Sequence, residues 1–118
     1  MSHPVVWFEV MGKDGAELQS FYKNLFGWQI DASNPMNYGM VEATEGRGIP
    51  GGVGQLGDQP WPKSAFYVST TDINASLDEA GKLGGKTLVS RTELPGGTIL
   101  AFLTDPEGNA VGLVEEAA

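Results

Sequence analysis

The sequence predicts an α+β fold: two βαβββ modules in tandem, forming a cupped, partly open, β-barrel-like sheet with the helices outside. Three observations lead there. Short β-branched and aromatic runs far outnumber helical stretches, of which there are only two. The order strand, helix, three strands occurs twice, at a spacing of about 55–60 residues, which reads as a duplication and not as a solenoid. A βαβββ unit covers one sheet face with its helix and leaves the other face open, so two such units can enclose a cavity.

In the first half, Val5-Val6-Trp7-Phe8-Glu9-Val10 is β-branched and aromatic and reads as the opening strand. Asp14 caps a helix, with Glu17 three residues on in a capping-box arrangement. Leu18, Phe21, Tyr22 and Leu25 follow at i, i+3, i+4 and i+7, which predicts one apolar stripe. Gly27 stands where a helix usually stops. Trp28-Gln29-Ile30 and Tyr38 to Ala43 read as strands, and the glycine-rich piece from Gly46 to Gly57 contains a weaker one. Within that piece Gly52-Val53-Gly54-Gln55-Leu56-Gly57 matches G-x-G-x-x-G. The Asp58-Gln59-Pro60-Trp61-Pro62 that follows cannot open the helix a dinucleotide site needs, so that reading is rejected.

The second half repeats the order. Ala65 to Thr70 is a strand, and Thr71 or Asp72 caps a helix whose apolar residues are Ile73, Leu77, Ala80 and Leu83. Gly84-Gly85 ends it. Thr87 to Val89, Thr98 to Leu103 and Ala110 to Val114 are the remaining strands, the last two joined by the turn-forming Asp105-Pro106-Glu107-Gly108-Asn109. The whole chain, 1–118, is expected to be a single domain. Its first module spans residues 4–57, a linker 58–63 and the second module 64–116.

Composition narrows the partners. The net charge is −8 and the seven Lys and Arg are scattered singly, so neither nucleic acid nor an anionic membrane is an expected partner. With no cysteine, disulfides, thiolate nucleophiles and Cys-ligated metals are excluded. No basic-then-apolar leader follows Met1, and no apolar run approaches the roughly 20 residues of a membrane span, so a cytoplasmic location is expected.

Three stretches give the chain a resemblance to a known family. They are Phe21-Tyr22 with Leu25-Phe26-Gly27-Trp28, Leu83-Gly84-Gly85-Lys86, and above all Phe102-Leu103-Thr104-Asp105-Pro106-Glu107-Gly108-Asn109. In these, and in the paired module order, the chain resembles the vicinal oxygen chelate superfamily of glyoxalases, bleomycin-resistance proteins and extradiol dioxygenases. The resemblance implies that a metal, where one is used, is held by His, Glu or Gln on the first and last strands of each module. The matching positions here are Val5, Ala65 and Gly112, with the fourth near Gly52. None of these side chains binds a metal, so no metal centre and no other cofactor is expected, a divalent metal remaining the alternative. The sole histidine, His3, reads as a residue of the terminus, and Glu9 and Glu42 lack a clear third partner.

Strand alternation then assigns the cavity face. With position 5 facing in, so do Trp7 and Glu9, while Val6, Phe8 and Val10 pack under the helix. The expected lining is Val5, Trp7, Glu9, Tyr38, Gly52, Ala65, Tyr67, Phe102 and Gly112, an apolar and partly aromatic pocket suited to a small organic molecule. Glu9, a carboxylate inside an apolar strand, either points to solvent or pairs with a lysine, or is a cavity group that orients a ligand or serves as a general base. Two functions follow. One is a metal-free module that binds a small apolar or aromatic compound, as bleomycin-resistance-like proteins do. The other is a glyoxalase-like lyase, isomerase or dioxygenase, using either a metal or Glu9 as base. A homodimer is expected in either case.

Overall fold

The computed structural model describes residues 2–117, and their elements run β1 (Val5–Gly12), α1 (Gly15–Phe26), β2 (Ile30–Asp31), β3 (Gly39–Val41), β4 (Gly51–Gln55), β5 (Ser64–Thr70), α2 (Ile73–Lys82), β6 (Lys86–Glu93), β7 (Ile99–Thr104) and β8 (Ala110–Glu115). The fold is α+β, as the sequence predicts. Trp7–Ser64 form one compact unit, and the described residues on either side of that segment form the other. The opening residues through Val6 therefore group with the later segment. Ser69 donates its N–H to the Pro4 carbonyl at 3.0 Å, which ties them there.

In the first unit the strands lie in the order β2-β3-β4-β1. β1 runs parallel to β4, with Phe8 opposite Gly51 and Glu9 opposite Gly52, and β4, β3 and β2 pair antiparallel. Helix α1 begins where its cap predicts: the Asp14 side chain accepts from Glu17 N–H at 3.0 Å. It ends at Gly27, whose φ of 71° is left-handed and whose N–H returns to the Lys23 carbonyl. The buried face of α1 is Gly15, Leu18, Gln19 and Tyr22. Gly15 lies so close to β4 that an added Cβ would sit 2.8 Å from Gln55 N, and Gln19 Nε2 donates to the Val53 carbonyl at 2.8 Å. These two anchors turn the helix, and of the expected stripe Phe21 and Leu25 are left more than half exposed. Tyr22 and Trp28 stack at 5.2 Å, and Trp28 meets Phe8 at 5.3 Å, so an aromatic layer covers the helix side of the sheet.

The second unit repeats the order as β5-β8-β7-β6, again with the first strand parallel to the last and the others antiparallel. Its core is Ile73, Ala101 and Leu113, with Val68, Leu77, Ile99 and Leu103 packed against them. Asp72 is the cap, accepting from Ala75 N–H at 3.0 Å. A second clamp holds the same helix end: Glu115 Oε1 accepts from Ile73 N–H at 3.0 Å, and Arg91 holds Glu115 at 2.6 Å. Strand β6 is longer than Thr87 to Val89, because the Leu94 N–H to Thr98 carbonyl bond continues the hairpin beyond two bulges. Leu83, expected on the buried side of α2, caps the helix C-terminus and is 70% exposed.

The turn between β7 and β8 is built on one carboxylate. Asp105 accepts from the N–H groups of Glu107 and Asn109 at 2.9 Å each and from Asn109 Nδ2. Gly108 follows with φ 88°, which an L side chain rarely adopts. The Asp-Pro-Glu-Gly-Asn run is thus a self-contained turn. Asp105, Gly108 and Asn109 serve its backbone geometry. Among the described residues no helix is long and apolar enough to cross a membrane.

Candidate functional site

The glycine-rich strand β4 shows which residues share a face. A Cβ added at Gly51 would run into the Phe8 ring, which belongs to the aromatic layer under α1. A Cβ added at the next residue, Gly52, would run into the Tyr38 ring on the opposite face. At Gly54 it would again meet Tyr38, at 3.0 Å, and then Met11. Large rings therefore pass on both sides of β4, and only glycine leaves room for them. That close approach explains the Gly-x-Gly pattern better than any nucleotide site.

On the helix-free face, Trp7, Tyr38 and Glu9 form a hydrogen-bonded row. Trp7 Nε1 donates to the Tyr38 hydroxyl at 3.1 Å, and that hydroxyl donates to Glu9 Oε2 at 2.8 Å. The direction of the row is fixed. An indole N–H can only donate, so the phenol oxygen accepts there and its proton goes to the carboxylate. Burial raises the Tyr38 pKa well above its ordinary value, and the adjacent Glu9 charge adds to the rise against the opposing pull of the Trp7 N–H. Tyr38 therefore stays protonated and acts as a donor. Glu9 is 8% exposed, so of the two readings of this residue the solvent-facing one does not hold.

The backbone at Tyr38 is held by a clamp that was not read from the sequence. Asn34 Oδ1 accepts from Tyr38 N–H at 2.9 Å, and Asn34 Nδ2 donates to the Tyr38 carbonyl at 2.6 Å. Asn37 sits between them at φ 52°. The signal was present in Asn34-Pro35-Met36-Asn37, since Asn supports both local side-chain bonds and left-handed backbone.

The second unit carries a related arrangement by itself. Gly112 lies opposite Tyr67 in the parallel β5/β8 pair, and a Cβ there would sit 2.6 Å from the Tyr67 ring. Phe102 is fully buried, with its ring centroid 5.5 Å from that of Tyr67. The structure thus brings Trp7, Glu9, Tyr38 and Gly52 together in one unit, and Tyr67, Phe102 and Gly112 together in the other. Val5 is 46% exposed and Ala65 is half-buried.

The family's metal can be tested against these side chains. Gly52 and Gly112 offer no donor, and a tyrosine ring fills the space beside each. Among the described residues no group of three or more His, Asp or Glu could hold a metal ion. His3 Nδ1 lies 3.0 Å from the Ser69 carbonyl oxygen, and Glu42 lines a shallow depression with Asp31, Gln29 and Met40. The donor set does not fit the family's metal centre.

Comparison with known proteins identifies the lineage. The profile of the glyoxalase-like domain matches residues 7–114. The chain belongs to the glyoxalase-like domain family. It is 30% identical over 111 residues to a glyoxylase-like domain-containing protein of Didymella fabae, covering 86% of this chain and 84% of that one. It is 27% identical over 116 residues to the "Putative glyoxylase CFP32" of Mycobacterium tuberculosis, covering 91% of this chain but only 43% of that protein. The chain thus spans less than half the length of the mycobacterial relative. A glyoxalase/bleomycin resistance protein/dioxygenase superfamily member from Vibrio splendidus 12B01 shares the fold, with a TM-score of 0.62 at 13% identity, covering 98% of this chain and 100% of that one. At that identity the likeness shows the fold alone.

Proposed function

We propose that this glyoxalase-like protein binds a small apolar or aromatic molecule on the helix-free face of its first module, without the metal that other members of the superfamily use. The observation that carries this reading is the Trp7–Tyr38–Glu9 row beside Gly52. Two aromatic side chains supply surface, and one carboxylate supplies a hydrogen-bond acceptor. Its ligand presents a donor group to that carboxylate and an apolar body to the rings. The protein is read as cytoplasmic and homodimeric, with neither nucleic acid nor a membrane as partner.

A titration with 2-naphthol, followed by the Trp7 indole N–H resonance, tests the reading. A saturable shift that is unchanged by a chelator and weakened by Trp7→Phe is expected. No shift at Trp7 in the folded protein would contradict it.

The burial of Glu9 beside a protonated phenol also favours a second reading, a metal-free lyase or isomerase with Glu9 as general base. In that case Glu9→Gln abolishes deuterium uptake from D2O into an α-hydroxy ketone. Under the binding reading there is no uptake to abolish.

A further inference from the structure

A cleft of about 510 Å³ lies within the second unit, between α2 and the adjoining strands, on the side opposite Tyr67 and Gly112. Its floor and wall are apolar: Val68, Ala80, Leu83 and Leu113. Leu83, at the end of α2, is 70% exposed and adds to the apolar rim.

The polar atoms around this cleft are largely bonded to one another. The Thr70 and Ser76 hydroxyls share a hydrogen bond of 2.8 Å, Asp72 caps α2 through Ala75 N–H, and His3 Nδ1 rests on the Ser69 carbonyl oxygen. Glu79 is different. It stands exposed at the rim and, among the described residues, forms no salt bridge. No lysine or arginine lines the cleft, His3 is its one basic lining residue, and Arg91, whose charge reaches Asp72, is bonded to both oxygens of Glu115. The net charge of −8 draws cations toward such a site.

We propose that this cleft is a second binding site, for a small organic ammonium ion with an apolar body. The body lies on Leu83, Ala80 and Val68, and the ammonium group pairs with Glu79. The cleft volume falls within the roughly 300–1,000 Å³ typical of small-ligand sites. The opposite sign of ligand would meet Glu79 and Asp72 and be repelled. This site is independent of the Trp7–Tyr38–Glu9 face, on which the proposed function rests, and the amide resonances that move tell the two apart.

The test is a titration of the intact protein with 4-phenylbutylammonium, 4-phenylbutanol and 4-phenylbutyrate, followed by amide chemical shifts. The ammonium probe should shift Ala75, Ala80 and Leu83 saturably and leave Gly52 unmoved, with the alcohol weaker and the carboxylate inactive. Glu79→Gln should weaken the ammonium about fivefold, as expected for one rim charge pair, and leave the alcohol unchanged. Leu83→Ala, which keeps the backbone cap of α2 and trims a side chain 70% exposed, should weaken both. Equal binding of all three probes, shifts confined to Gly52 and Tyr38, or no saturable shift would each overturn the proposal.

Discussion

The Tyr38 ring occupies the space that a side chain at Gly52 would need, and its hydroxyl is then held between Trp7 and Glu9. The strand glycine and the hydrogen-bonded row are one construction: the first makes room for the second.

Gly52→Ala forces Tyr38 out of place or bends β4. The expected loss of stability is about 1–3 kcal/mol, the usual cost of overpacking, measured by urea unfolding. In a Tyr38→Ala background the same substitution has room and should cost less than about 1 kcal/mol. Equal costs in both backgrounds would mean that Tyr38 is not what excludes the methyl group.

Tyr38→Phe keeps the ring and deletes the hydroxyl, removing one partner each from Trp7 and Glu9. Leaving buried polar groups short of a partner should cost about 1–3 kcal/mol, and the Trp7 indole N–H resonance should move. An unmoved indole resonance would contradict the row.

The clamp on α2 predicts an acid dependence. The Arg91 hydrogen bonds, followed by the Ile73 N–H, lower the Glu115 pKa from 4.5 to about 2. A carboxyl group with a depressed folded-state pKa contributes stability that is complete above its unfolded value and disappears as pH falls through the folded one. Glu115 therefore stabilises the fold above pH 4.5, and that contribution is lost between 4.5 and about 2. Unfolding free energies measured across this window should fall less steeply with acid in Glu115→Gln than in the parent. Parallel curves would contradict the clamp.

Gly108→Ala places a Cβ on a residue with φ 88°. A loss of about 1–2 kcal/mol is expected from the left-handed backbone alone, with no change in binding at Trp7 or Leu83. A loss of binding would assign the turn a role beyond geometry.

Much of the fold was legible because its signals are local. Asp14 with Glu17, and Gly27, set the two ends of α1, and alternation along β1 sets Trp7 and Glu9 apart from Phe8. Other features depend on contacts between elements far apart in sequence. The rotation of α1 that exposes Phe21 and Leu25 comes from Gly15 and Gln19 meeting β4. The exposure of Leu83 follows from α2 ending at Lys82, one residue before it. For the candidate site, the residues on the helix-free face were readable from strand period, but their bonding was not. That Tyr38 joins Trp7 to Glu9 depends on the β1/β4 register and on the Asn34 clamp, neither of which leaves a periodic trace.

Metal content tests the central claim most directly. The untagged protein is incubated with Mn, Fe, Ni and Zn, dialysed, and its metal per chain determined by elemental analysis. Gly52 and Gly112, each with a tyrosine ring in the space a side chain would need, lead the account to predict retention far below one ion per chain, with 2-naphthol binding unaffected. Near-stoichiometric retention of a single metal would contradict the account and would return Glu9, Glu42 and His3 to consideration as ligands.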